Sequence, residues 1–431
     1  MGIIDDPSLE RDESISSVTL EMDREKPYAT WHVELGPLGV PSARLVGEGE
    51  RVIFGSGLDC DVRVLDRTVS ARHCVVRVEQ GALLVEDLGS KNGVFVGGAE
   101  VARASLGPGA AFVLGRAVAT CRPAPVHGPS DDPPPVAMPG VVGNSLAMRR
   151  AFSEVRRLAA VRGPVLLRGE TGTGKDVLAR VIHGSGPRKG RPFLPLNVGT
   201  LPRELADAEL FGHERGAFTG AHGAREGAFA QAHGGTLFLD EIAELARDLQ
   251  VKLLRVLEDG EIRPLGARES RKVDVRVISA TWAPLHRRVA EGSFRQDLYQ
   301  RLAVFIVDVP PLRERRSDLP LLSSHFLTEL AREVGPRELS AGAMAKLAAY
   351  GWPGNVRELR NVLYRSALAS DGRLIGSREI AESLAVSSAP ERLSLSPEQA
   401  RSAVDGHGGN VSAAARQLGV ARSTFRGILR R

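Results

Sequence analysis

Residues 165–176 read VLLRGETGTGKD, and they decide the fold of the middle of the chain. Val165 to Leu167 form a short apolar run of strand character, and Gly169, Gly172 and Gly174 relax the backbone before a helix expected near Lys175. A strand, a glycine-rich turn and a helix start in that order make a P-loop. Its backbone N–H groups and the helix N-terminus surround nucleotide phosphates, while Lys175 reaches the terminal ones as a point charge. The phosphate-binding set is therefore Gly169, Glu170, Thr171, Gly172, Thr173, Gly174, Lys175 and Asp176. Further on, Thr236 to Leu239 is an apolar strand ending in Asp240 and Glu241. Asp240 is suited to hold Mg2+ and Glu241 to orient the attacking water.

Between these two elements lies Gly216-Ala217-Phe218-Thr219-Gly220-Ala221, which follows neither a helical nor a strand period. A Phe flanked by Gly and Ala is hard to bury locally, and leaving it in water forfeits about 1.5–3 kcal/mol. Something else should cover it. The stretch ELFGHERGAFTGA, Glu209 to Ala221, resembles the signature of bacterial enhancer-binding proteins, the AAA+ activators of sigma-54 RNA polymerase. The resemblance implies that residues 216–221 contact the sigma factor, with Phe218 and Thr219 touching it, and that ATP with Mg2+ is the cofactor.

Other positions extend the resemblance. Asp176 stands where generic P-loops carry Ser or Thr, and the activator family carries an acid there. Asn197 ends the strand Phe193 to Leu196. By resemblance it hydrogen-bonds Glu241 in one nucleotide state and so signals ATP binding to the Phe218 loop; the plain alternative is a turn Asn. Arg295 and Arg301, in FRQDLYQRL, match the family's arginine fingers. Placed on one helix they stand on different faces, so one chain does not easily aim both at its own nucleotide, and the family uses them across a subunit boundary. Head-to-tail contacts of that kind close into a ring, expected to be a hexamer built from dimers. The alternative for both is a surface ion pair. Trp352 to Leu359 reads WPGNVREL, a capping-box layout with Asn355 as N-cap and Glu358 three residues later, which puts Arg357, the family's sensor arginine, in the first turn of a helix. The strand Val275 to Ser279 leads into Ala280-Thr281-Trp282, where Thr281 offers a hydroxyl to the nucleotide site, but Trp282 stands where the family shows Asn or His.

With 431 residues, about three domains are expected, each able to bury a core. Cys60, Cys74 and Cys121 are too few and too scattered for a disulfide framework or a zinc site, which fits a reducing cytosol. No apolar run approaches the ~18 residues of a membrane span, and the start, MGIIDDPSLERDE, is acidic where a signal peptide is basic. A cytoplasmic protein without membrane contact is expected. Residues 392–431 hold seven arginines against Glu398 and Asp405, an excess of five that equals the net charge of the whole chain, +5. Nucleic acid is the natural partner of such an end.

The expected organisation is multidomain. Residues 1–28 form a mobile leader, and 29–121 an all-β sandwich with short alternating runs at Val62–Leu65, Val75–Val78, Leu83–Glu86, Val94–Val96 and Phe112–Leu114. The turns SARHC (70–74) and DLGSKNGVFV (87–96) resemble a forkhead-associated (FHA) domain, with Ser70, His73, Ser90, Asn92 and Gly93 matching. The resemblance implies a phosphothreonine ligand on Ser70, Arg72 and Asn92, and hence a phosphoprotein or kinase partner. Ser56 and Ala71 replace residues that commonly contact the phosphate, which predicts weak phosphothreonine selectivity.

Residues 122–139 are a proline-dense linker expected to hold the sandwich off the next domain. Residues 140–384 make the AAA+ module, α/β over 140–319 and helical lid over 320–384. After a linker at 385–395, residues 396–431 give three helical patterns, Pro397–Asp405, Val411–Leu418 and Arg422–Arg430, with Asn410 capping the second. GGNVSAAARQLGVARSTFRGILRR resembles the factor-for-inversion-stimulation type of helix-turn-helix. Arg422, Ser423, Thr424 and Arg426 are expected at base edges and Arg430 and Arg431 on phosphates. The whole reads as an ATP-dependent activator that binds enhancer DNA and opens sigma-54 RNA polymerase complexes. The rivals are a phosphopeptide adaptor with a nucleotide-gated scaffold and a repressor independent of sigma-54.

Overall fold

A computed structural model of the chain describes residues 30–36, 42–124, 138, 140–218, 221–388, 397–407, 410–417 and 425. Alternation of apolar residues drives the N-terminal part into two packed sheets. One carries six strands in the order Ser42–Gly47, Thr30–Gly36, Ala117–Pro123, Ala111–Leu114, Val94–Val96 and Ala99–Val101. The other carries five, Val62–Arg63, Arg51–Gly55, Cys74–Glu79, Ala82–Asp87 and Arg103–Leu106. Trp31, Val33 and Leu35 point inward from one sheet and Phe54, Val76 and Val85 from the other. Phe54 meets Phe112 edge-on with ring centroids 6.1 Å apart, a favoured aromatic geometry. The run expected over Val62–Leu65 is strand only at Val62–Arg63. Asp66 ends it, because its Oδ1 accepts hydrogen bonds from Thr68 N and Oγ1 and turns the chain.

The central module is built on a parallel five-stranded sheet in the order Phe193–Asn197, Thr236–Asp240, Arg276–Thr281, Val165–Arg168 and Phe305–Asp308. Its strands are apolar on both faces because helices cover both. Val165, Leu167, Phe238 and Ile278 face Met148, Phe152 and Leu178. Leu166, Leu237, Leu239 and Val277 face Leu210, Leu249, Leu253 and Leu298. The strand Val165–Arg168 lies between Arg276–Thr281 and Phe305–Asp308 rather than beside Phe193–Asn197, its successor in sequence. A crevice opens at the carboxyl end of a sheet where strand order reverses in this way.

The lid begins at Leu319 and consists of the helices Leu319–Val334, Ala341–Ala349, Asn355–Ala369 and Ser377–Ser388. It is not purely helical as expected: Glu338–Leu339 pairs in parallel with Leu374–Ile375, tying two of its loops together. Toward the C-terminus are the helices Pro397–Gly406 and Val411–Gln417. Asn410 Oδ1 caps the latter, accepting from Ser412 N and Ala413 N at 3.1 Å each. Phe425 is fully buried. Arg422, Ser423, Thr424, Arg426, Arg430 and Arg431 lie outside the described residues.

One expectation is overturned. The sandwich is not held off the central module but packs against it, and the reason lies in the second face of its six-stranded sheet. Val113 and Val118, paired across strands, point away from the sandwich core and join Leu312, Leu319, Met344, Ala345 and Ala348 of the AAA+ module. Burying each valine contributes about 1.5–3 kcal/mol. Glu34, on the same face and 6% exposed, accepts a hydrogen bond from Leu146 N at 2.7 Å and lies 3.5 Å from Arg149. At Gly36 the approach is so close that a Cβ would lie 1.7 Å from Ser317 O. The linker residues 125–137 and 139 are outside the described residues.

Candidate active site

The P-loop forms where the crevice requires it. Gly169 N donates to Thr281 O at 3.1 Å, which fixes the exit of the strand, and Gly174, at φ 97°, is the N-cap of the helix Lys175–Gly184. Gly172, at φ 79°, admits only glycine, since a Cβ there would lie 2.3 Å from Gly354 O in the lid. Lys175 is 8% exposed, and its Nζ donates to Gly169 O at 2.8 Å and Glu170 O at 2.9 Å. Burial pulls the ammonium below the usual lysine range against the opposing pull of Asp240. Thr173 Oγ1 donates to Glu170 O at 2.8 Å. Thr171 in the loop and Asp176 on the first turn of the helix are exposed.

On the neighbouring strands Asn197 and Asp240 stand in register. Asp240 Oδ1 accepts from Glu241 N at 2.9 Å. Glu241 itself has φ 55° and ψ 43°, a left-handed conformation costing a non-glycine residue about 1–2 kcal/mol, and strain of this kind collects at functional sites. A methyl group at Gly199 would lie 2.2 Å from Glu241 Oε2 and 3.3 Å from Asn197 Oδ1, so the two side chains converge over that glycine. Asn197 Oδ1 is buried without a hydrogen-bond partner. A buried polar atom left so costs about 1–3 kcal/mol.

The lid supplies the other wall. Val356 N and Arg357 N, on the first turn of the helix Asn355–Ala369, donate to Gly172 O at 3.0 and 3.3 Å, which brings the exposed Arg357 beside the P-loop. Asn355 is not the N-cap that the capping-box spacing predicts. Gly354 holds that place, and Glu358 Oε2 reaches back to Gly354 N at 2.8 Å. Trp352 and Asn355 both have φ 54°, and this double left-handed turn moves the helix start and releases the Asn355 side chain. Fully buried, it accepts from Leu312 N at 2.8 Å and donates to Glu170 Oε2 and Thr171 O at 3.1 Å each.

Sequence reasoning missed that bridge and two of its neighbours. Arg313 holds Glu170 through two parallel hydrogen bonds of 2.7 and 2.8 Å, the fork geometry that suits a carboxylate. Arg315, 2% exposed, donates to Thr173 O at 2.8 Å. The available signal was the charged run Arg313–Asp318 enclosed by the apolar Leu312 and Leu319.

The remaining expected residues fall into three places. Arg295 precedes the helix Gln296–Leu302 rather than lying on it, and it pairs with Asp297 at 2.7 Å. Arg301 donates to Leu257 O at 3.1 and 3.2 Å. Both arginines thus bond away from this chain's own P-loop. Thr281 is buried, with its hydroxyl accepting from Ala283 N at 3.0 Å, and Trp282 is exposed. In the loop, Gly216 N donates to Ala221 O at 2.9 Å and Ala221 N to Phe218 O at 3.0 Å. Phe218 stays 36% exposed and lies edge-on to His213, centroids 5.0 Å apart. Thr219 and Gly220 are outside the described residues.

On the sandwich, Ser70 Oγ accepts from Lys91 N at 3.0 Å, Asn92 Nδ2 donates to Thr68 O at 2.7 Å, and His73, fully buried, joins Ser70 N to Gly93 O. Arg72 is exposed at this edge. Ser56 Oγ donates to Val69 O at 2.9 Å, so it is spent on bracing the loop.

A parallel sheet with this strand order, a P-loop at its switch point, an acidic strand end beside it and a helical lid define a AAA+ ATPase. Comparison with known families agrees: residues 141–308 match the sigma-54 interaction domain, 313–396 the AAA+ ATPase lid domain and 52–115 the FHA domain. Transcriptional regulatory protein ZraR of Escherichia coli K12 is 43% identical over 298 residues, 66% of this chain and 67% of that protein. The DNA-binding transcriptional regulator NtrC of Klebsiella pneumoniae is 43% identical over 272 residues, 63% of this chain and 56% of its own length. Among solved structures, NtrX of Brucella abortus in complex with ATP is 36% identical with a TM-score of 0.53, covering 67% of this chain and 68% of its own. The chain belongs to the sigma-54-dependent transcriptional activators, and it carries an FHA domain ahead of its ATPase.

Proposed function

We propose that the protein couples ATP hydrolysis to sigma-54 RNA polymerase through the loop 216–221, with the nucleotide held between the P-loop and the lid. The observation that carries this reading is the convergence of Glu241 and the unpartnered Asn197 amide over Gly199. A carboxylate that orients water and a neighbour able to capture it make a two-position switch. Backbone N–H groups of residues 172–175 and Lys175 bind the phosphates, and Arg357 adds charge from the lid. Asp240 is the residue for Mg2+, which supplies charge neutralisation at the phosphates. A single carboxylate suits an ion that completes its shell with phosphate and water oxygens, and no cluster of three or more ligating side chains occurs among the described residues.

Arg295 and Arg301 serve a neighbouring subunit's nucleotide, so the active form is a ring, a hexamer assembled from dimers. Arg422, Ser423, Thr424 and Arg426 read enhancer DNA while Arg430 and Arg431 hold phosphates. The protein works in the cytoplasm, where RNA polymerase is; among the described residues no helix is long and apolar enough to cross a membrane. The sandwich edge at Ser70, Arg72 and Asn92 receives a phosphoprotein or kinase signal. In vitro transcription from a sigma-54 promoter tests the reading. Thr219→Ala should keep near-normal ATPase activity yet lose both transcription and binding of sigma-54 in the presence of ADP with aluminium fluoride. Full activation by that variant would remove the loop as the output.

A further inference from the structure

A cavity of about 640 Å3 opens between the sandwich and the lid, and neither ATP chemistry nor the FHA edge uses it. Arg67 and Arg116 line it from the sandwich, Arg337 and Arg373 from the lid. At its centre Glu338 accepts from Arg67, from Arg116 Nη1 at 3.2 Å and from Arg373 Nη2 at 2.8 Å. The other carboxylate at hand, Asp66, pairs with Arg116 at 3.1 Å. Four guanidinium groups thus face two carboxylates, which leaves an excess of two positive charges. Arg67 and Arg373 each give one N–H to Glu338, so most of the five donors of each group remain for another anion. The remaining lining is mainly apolar, with Pro320, Leu327, Leu339 and Met344, and carries the hydroxyls of Ser324 and Thr328 among them.

We propose that this cleft binds a small molecule carrying a phosphate dianion on a flat apolar body, and that the bound molecule bridges sandwich and lid. The two spare charges match a phosphate dianion, and forked guanidinium donors suit its oxygens. The volume lies in the range of small-molecule sites, about 300–1,000 Å3, which favour domain boundaries and apolar walls with a few convergent polar groups. Because the arginines come from both domains, occupancy strengthens the docked arrangement, and the lid in turn touches the P-loop through Gly172. The proposal is independent of how the loop 216–221 acts.

The test is calorimetric titration of the full chain with 1-naphthyl phosphate in saturating ADP, which keeps the probe out of the P-loop. 1-Naphthol and inorganic phosphate serve as separate arms, each lacking one half of the recognition. The parent should bind 1-naphthyl phosphate saturably at one site per chain and both partial probes at least tenfold more weakly. The double variant R67A/R373A should lose at least tenfold. Both side chains are largely exposed, 72% and 71%, so the fold does not depend on them. E338Q removes the competing carboxylate and should bind more tightly, while R44A, on a distant strand, should match the parent. No saturable binding by the parent, equal binding by R67A/R373A, or 1-naphthol binding as well as its phosphate would each overturn the proposal.

Discussion

The lid makes two junctions, and they are built from opposite chemistry. Toward the P-loop it offers polar groups: Val356 N and Arg357 N on Gly172 O, and Asn355 on Glu170, Thr171 and Leu312. Toward the sandwich it offers an apolar face, with Val113 and Val118 against Met344, Ala345 and Ala348, edged by the arginines around Glu338. Hydrogen bonds are directional and can be exchanged for bonds to phosphate at little net cost. Apolar burial is non-directional and is forfeited on separation. A lid displaced by nucleotide would therefore exchange its polar junction more readily than the apolar one, and the sandwich is also tied to the α/β part, where Glu34 meets Leu146 N and Arg149.

The largest test of the polar junction is chemical. Lys175→Ala should abolish nucleotide binding, whereas Glu241→Ala should bind ATP and turn it over at least about 10²-fold more slowly, because only the water-orienting group is lost. Equilibrium binding and steady-state hydrolysis separate the two. Normal turnover by the Glu241 variant would take that residue out of catalysis and leave its left-handed backbone without a use.

Asn355 comes next. Replacing it with Ala leaves Leu312 N without its acceptor in a buried site, about 1–3 kcal/mol, and forces a left-handed backbone onto Ala, about 1–2 kcal/mol more. Asn355→Gly keeps the backbone and loses only the bridge, so it should be the more stable variant by about 1 kcal/mol in urea denaturation. Equal stability of the two would mean that the left-handed turn costs Ala nothing, and that the side-chain bridge alone holds lid to P-loop. ATP affinity of the Gly variant then reads the bridge alone.

These two tests fall on residues of different legibility. The P-loop and the acidic strand end are local motifs legible from spacing, whereas Arg357 is assigned as the sensor arginine only through the family resemblance. Asn355 was found but given the wrong task, because a capping box is scored by separation along the chain and the double left-handed turn at Trp352 and Asn355 leaves no trace in that separation. The sandwich junction was not legible at all. Val113 and Val118 continue an ordinary apolar stretch, Glu34 and His32 read as the solvent side of a strand, and a proline-rich linker says nothing about which surfaces meet. A face buried by another domain looks, in sequence, like a slightly apolar exterior.

At the apolar junction Gly36 is the most sensitive point. An Ala there would put its methyl 1.7 Å from Ser317 O, an overlap that only separation relieves, at about 1–3 kcal/mol. The strand pairing of Gly36 with Val118 is left to the backbone and persists. Hydrogen exchange of the helix Ala341–Ala349 should quicken in Gly36→Ala while exchange of the strand Cys74–Glu79, deep in the sandwich, stays unchanged. If both quicken together, the sandwich and its docking are one cooperative unit and the contrast between the junctions weakens.

The smallest effect concerns pH at the same junction. Burial pushes the Glu34 carboxyl above its usual value of 4.5, against the lowering by the Leu146 N hydrogen bond and by Arg149. A carboxyl whose value is raised by docking binds its proton more tightly docked than free. Docking therefore gains as pH falls through the raised value toward 4.5, and loses as pH rises above it. The Leu146 amide, which donates to Glu34 Oε1, reports this directly. Its exchange protection, corrected for the intrinsic pH dependence, should rise as pH falls from 8 to 4.5. Asp318, also raised by burial, holds Asn144 N and Ser145 N in the same corner, so the parent alone does not assign the effect. Glu34→Gln keeps an acceptor for Leu146 N and removes the titrating group. If the variant's protection is flat over that range, the gain belongs to Glu34; if it rises as in the parent, the response belongs to Asp318 and the sandwich junction is insensitive to pH.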